Sequence, residues 1–84
     1  RVDGGGTAIA VLEYLVRELV DDPDAVTVDP VSGRRGGTTL EVAVGPGDMG
    51  RVIGRRGRMA NAIRTVVRAA AAKDGTEVDV DFVD

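Results

Sequence analysis

Across residues 76–83 the chain alternates, with Val78, Val80 and Phe82 on one side of an extended backbone and Glu77, Asp79 and Asp81 on the other. A strand written this way has one face that must be buried and one that must stay in water. It belongs to a sheet covered on a single side. Residues 38–44 follow the same rule, with Leu40, Val42 and Val44 inward and Glu41 outward. Val26, Val28 and Val31 mark a third, shorter strand, and Pro30 makes it a strand end or an edge. Between them, residues 32–37 (Ser-Gly-Arg-Arg-Gly-Gly) are a turn-rich connection, so the first two strands are expected to form an antiparallel hairpin.

The cover is helical. Ala8, Leu12, Leu15, Val16, Leu19 and Val20 make an apolar stripe over residues 8–20, with Thr7 as the expected N-cap and Asp21-Asp22-Pro23 as the stop. After the break at Gly45-Pro46-Gly47, residues 46–53 read as a short helix with Met49, Val52 and Ile53 inward. Residues 58–72 read as a longer one, with Met59, Ile63, Val66, Val67 and Ala70 inward and Asp74-Gly75 as its end. The expected order is α-β-β-α-α-β, an α+β fold with three helices on one face of a three-stranded mixed sheet. Eighty-four residues make one domain, burying about 60% of its unfolded surface. Residues 1–7, with their Gly4-Gly5-Gly6 run, are expected to be a flexible leader and 8–84 the domain. Because the chain opens on Arg1, its start is expected to be trimmed, tagged or missing. No internal repeat is read.

Several chemistries are excluded. There is no cysteine and no histidine, hence no disulfide, thiol nucleophile or histidine base, and no ordinary zinc site. No apolar run approaches the ~20 residues that span a bilayer, and no segment has a signal-peptide layout, so a cytoplasmic, membrane-free protein is expected. Gly45-Pro46-Gly47-Asp48-Met49-Gly50 matches a dinucleotide-binding spacing, but no parallel βαβ unit of the usual length follows and no acid stands where the ribose would need one. A Walker loop needs Lys and then Ser or Thr where the chain has Arg51-Val52. Asp21, Asp22 and Asp24 read as a solvated loop rather than a metal site. No cofactor and no catalysis are expected.

Charge points elsewhere. The net charge is −3, yet residues 50–73 carry seven basic side chains (Arg51, Arg55, Arg56, Arg58, Arg64, Arg68 and Lys73) and no acid. Local field outweighs net charge when a ligand docks on one face. At the centre stands Val52-Ile53-Gly54-Arg55-Arg56-Gly57: a helix end, a two-residue basic turn and a new helix start. Glycines let a ligand backbone come close, the arginines supply cationic donors, and the opening amides of the next helix add partial positive charge. A merely solvated basic helix face is the plain alternative, and the coincidence with the double-glycine turn argues against it. The acidic outer face of the sheet repels phosphate and carries no aromatic pair, which argues against an RRM.

With a helix on each side, this Val-Ile-Gly-x-x-Gly run resembles the signature of KH domains. The order of elements is similar to the type II arrangement. The likeness spans residues 8–83 and is strongest to the small bacterial single-KH-domain proteins of the KhpA family. It includes the Leu-x-x-x-Leu-Val opening helix, the Asp-Pro-Asp turn, the run from Asp48 to Gly54, and Ala-Ile-Arg-Thr-Val-Val-Arg-Ala-Ala-Ala-Ala-Lys.

The resemblance implies that the turn clamps about four nucleotides of single-stranded RNA. Gly54 and Gly57 would allow close approach, and Arg55 and Arg56 would face phosphate. Ile53, Met59, Ala60 and Ile63 would line or support the groove floor, with Ala60 standing where many KH domains have isoleucine. Arg51, Arg58 and Arg64 would extend the positive rim, with Arg68 and Lys73 further along. It also implies an RNA chaperone or post-transcriptional regulator that forms a homodimer or pairs with a larger KH-containing protein. The sequence leaves two points open: single-stranded DNA as a ligand, and an interaction module whose RNA binding is weak or lost.

Overall fold

The computed structural model describes residues 6–83. Its elements are α1 (Gly6–Leu19), β1 (Thr27–Ser32), β2 (Thr38–Ala43), α2 (Met49–Ile53), α3 (Arg58–Lys73) and β3 (Val78–Phe82), with short 3₁₀ turns at Pro23–Ala25, Arg34–Gly36 and Arg55–Gly57. β2 is the central strand. It pairs antiparallel with β1 and parallel with β3, giving the mixed sheet expected from the sequence. The parallel partner is reached by way of α2 and α3, which is why the crossover is long and helical.

The core lies between the helices and one face of the sheet. Leu12 and Val16 of α1, Val52 of α2, and Ile63 and Val67 of α3 pack with Leu40, Val42, Val78 and Val80. All are aliphatic. The opposite face is acidic, and the strand register puts Asp29, Glu41 and Asp81 side by side across the three strands. Like charges on neighbouring strands repel, so nothing anionic settles there.

Several expectations need adjustment. Thr7 does not cap α1, because the helix already includes Gly6; the rest of the expected leader, residues 1–5, lies outside the described residues. The second helix starts at Met49 rather than 46. The left-handed Gly47 and the bond from Asp48 N to the Gly45 carbonyl (3.1 Å) make a turn there first. Val66 is not core. It stands 47% exposed while Val67 and Ala71, on the sheet side of α3, are buried.

One buried polar group fixes the approach to α2. Asp48 is 3% exposed, and its carboxylate accepts hydrogen bonds from the backbone N–H groups of Asp21 (3.2 Å) and Asp22 (3.1 Å). Arg51 closes the arrangement, 3.0 Å from Asp21 and 3.5 Å from Asp48. The side chains of Asp21, Asp22 and Asp24 are exposed, as a solvated loop has them, while the backbone N–H groups of Asp21 and Asp22 fasten the α1–β1 connection to the start of α2. A buried carboxylate is tolerated because donors surround it.

Candidate nucleic-acid interface

α2 stops because Gly54 turns out of the helix, with φ 73° and ψ 178°, while its N–H still donates to the Gly50 carbonyl (3.0 Å). The chain then makes one 3₁₀ turn, closed by the bond from Gly57 N to the Gly54 carbonyl (3.2 Å). Arg56 and Gly57 are both left-handed, at φ 56° and 73°. The two glycines serve different purposes. A Cβ on Gly54 would stand 2.7 Å from the Cβ of Met59, so this glycine is required by the first turn of α3 itself. A Cβ on Gly57 would meet nothing within 4 Å, so the open space lies there. Gly57 is where another molecule's backbone has room to approach.

The basic residues fall into two groups. Arg55, Arg56 and Arg58 are exposed and, among the described residues, make no ion pair and no side-chain hydrogen bond. They are uncommitted donors around the turn. Arg51 is held by Asp21 and Asp48, and Arg68 lies 2.6 Å from Asp79. Arg64 is positioned rather than spent. Its Nε donates to the Val80 carbonyl (3.2 Å), its Nη1 donates to Asn61 Oδ1 (3.0 Å), and its guanidinium carbon lies 5.4 Å from the centre of the Phe82 ring. A guanidinium fixed over an aromatic face is a cation–π pair.

The apolar residues also divide. Met59 and Arg64 are five positions apart, about 140° around α3. Arg64 faces β3. Met59 and Ile63 instead line an apolar hollow on the α1 side, with Tyr14, Leu15, Leu19 and Val66. Ala60 is buried at the base of α3, and Ile53, half-buried, packs against the core. The structure therefore gathers Gly54, Arg55, Arg56, Gly57 and Arg58 at the turn, with Arg64 on the β3 side of the helix that follows, and leaves Met59 on its other flank.

Phe82, the chain's single phenylalanine, is the neighbour that sequence reasoning missed. The alternation of β3 marks it simply as an inward strand residue. Its meeting with Arg64 depends on the parallel β2–β3 pairing and on α3 running back along β3, which no local pattern reveals. Asp48 was likewise visible only as part of a turn.

A small α+β sheet whose Gly-x-x-Gly turn joins two helices is the architecture of a KH domain. The chain belongs to the KhpA/KhpB KH-domain family, whose profile matches residues 9–82. The protein named RNA-binding protein KhpA in Clostridium acetobutylicum is 48% identical over 73 residues, covering 87% of this chain and 96% of its own length. The protein of that name in Leifsonia xyli is 53% identical over 73 residues, covering 87% and 92%. The one in Mycobacterium tuberculosis is 50% identical over 76 residues, covering 90% of each. These names describe RNA binding, not catalysis. Among solved structures, Era of Aquifex aeolicus superposes with a TM-score of 0.62 at 15% identity over 98% of this chain, which shows the shared fold. This chain spans 31% of that protein's length. Among the described residues no helix is long and apolar enough to cross a membrane.

Proposed function

We propose that this chain binds single-stranded RNA at the turn over residues 54–57, without catalysis, and works as an RNA chaperone or post-transcriptional regulator. The observation that carries this reading is the set of three uncommitted arginines, Arg55, Arg56 and Arg58, around the open space at Gly57. Phosphates of one strand bind there through charge-assisted hydrogen bonds. The relatives named as RNA-binding proteins support RNA over single-stranded DNA. Bases passing along α3 reach the Arg64–Phe82 pair, where an aromatic or guanidinium plane stacks against them.

Fluorescence anisotropy with a labelled single-stranded RNA, at two salt concentrations, tests this. Affinity is expected to fall as salt rises, since phosphate contacts release counterions. A salt-independent signal, or none, refutes it. Phe82→Leu separates stacking from packing because it keeps an apolar side chain. The expected loss is about fivefold in affinity, corresponding to about 1 kcal/mol for one stacked base. Unchanged affinity removes Phe82 from the interface.

Because one such turn holds only about four nucleotides, useful affinity needs a second site. We assign that to pairing with a second copy or with a larger KH-containing protein. Tyr14, Val66 and Met59 stand 65%, 47% and 37% exposed around the apolar hollow between α1 and α3, and this face suits such a contact. In sedimentation velocity, Val66→Glu is expected to shift a dimer toward monomer. A concentration series that is monomeric for the parent chain, or identical for both, rejects this surface.

A further inference from the structure

The four-residue sequence Gly-Arg-Arg-Gly occurs twice, at residues 33–36 and 54–57. We propose that the first copy, in the β1–β2 connection, is a second phosphate-binding turn that takes the far end of an RNA strand held at residues 54–57. This rests on the RNA-binding reading above and extends it.

The two copies fold alike from the first arginine onward, whereas Gly54 has positive φ and Gly33 does not, its N–H closing the connection on the Gly37 carbonyl (2.8 Å). Each makes a 3₁₀ turn with its second arginine left-handed: Arg35 has φ 57° and ψ 32°, and Arg56 has φ 56° and ψ 26°. The glycine after it is left-handed too, at φ 81° for Gly36 and 73° for Gly57, and a Cβ on either would meet nothing within 4 Å. Successive backbone N–H groups in such turns form concavities that suit anions. Arg35 is exposed and, among the described residues, has no ion-pair partner.

The topology places the turns at opposite ends of one seam. α3 starts directly after Gly57 and runs back along β3, so that Arg64 meets Phe82 and Arg68 meets Asp79. The β1–β2 connection lies at the start of β3, fixed there by the bond from Thr38 N to the Glu77 carbonyl (3.1 Å). The sixteen residues of α3 run about 24 Å along this seam. Beside the second turn are two clefts of about 240 and 250 Å³, both walled by Arg35, Gly37, Thr38 and Glu77.

Charge grades the two sites. The carboxylates at these clefts are Glu77 and Asp79, and Asp79 is already paired with Arg68. Glu77 therefore opposes phosphate here. The second turn also leads into a strand, so it lacks the helix-start amides that follow Gly57. It is an extension site, engaged by strands longer than the first turn can hold.

The test uses the ¹⁵N-labelled chain with oligouridylates of four and eight nucleotides. Both RNAs are expected to shift the Gly54 and Gly57 amides, and only the octamer to shift those of Gly33, Gly36 and Gly37. Lengthening the RNA is expected to tighten binding about tenfold, the yield of one charge-assisted hydrogen bond. Arg35→Glu should abolish that gain, and Glu77→Gln should enlarge it. An octamer that shifts only Gly54 and Gly57, or a charge-reversed chain that keeps the gain, overturns the second site and leaves the first standing. Silence at all five glycines overturns both.

Discussion

Replacing Gly54 with alanine is expected to lower the melting temperature by roughly 8–16 °C, whereas the same change at Gly57 lowers it by roughly half as much. Both glycines have positive φ, but the costs differ in kind. Gly54 combines φ 73° with ψ 178°, a region that side chains essentially never enter, and its new methyl group would stand 2.7 Å from the Met59 Cβ and 3.0 Å from the Met59 nitrogen. Backbone strain of that sort costs about 2 kcal/mol before any displacement of α3. Gly57 is left-handed with empty space around it, so alanine there meets only the conformational penalty of about 1 kcal/mol. Thermal unfolding of the two variants decides. Equal losses would mean that the contact with Met59 does not govern the turn.

Charge reversal at the turn, Arg55→Asp/Arg56→Asp, is expected to reduce RNA affinity about 100-fold while leaving the melting temperature nearly unchanged. Two charge-assisted hydrogen bonds to phosphate account for about 3 kcal/mol, and the slope of log affinity against log salt should fall by about 1.4. The fold should tolerate the change. Both side chains are exposed without partners among the described residues, and aspartate is one of the few residues that visits the left-handed conformation Arg56 adopts. Anisotropy titrations beside a melting curve give the answer. A variant that stays folded and binds like the parent would move RNA away from this turn and favour a purely interaction-based role.

The strands and long helices were legible because each carries a one-sided pattern: alternation in Val78, Val80 and Phe82, and a 3.6-residue stripe in Leu12, Leu15, Val16 and Leu19. The turn was legible because glycine spacing and arginine charge are both local. Periodicity failed at Val66, since this apolar residue faces the open hollow beside α1 rather than the sheet. The commitments of the arginines were hidden altogether. Arg51 and Arg58 look alike in sequence, yet one is fixed by Asp21, far upstream, and by Asp48, three residues before it, and the other has no ion-pair partner among the described residues. The likeness between residues 33–36 and 54–57 is plain in the letters. It gains meaning only when the backbone angles coincide.

The sheet's two borders are each blunted at one point without another strand. On β1, Pro30 has no N–H to offer an incoming chain. On β3, the carbonyls of Glu77 and the N–H of Val83 point toward β2, so by alternation the Val80 carbonyl points outward, and Arg64 already occupies it. Unpaired strand borders are templates for sheet-to-sheet growth, and proteins blunt them in such ways. By filling that outward carbonyl, Arg64 thus also guards the β3 border against self-templated aggregation.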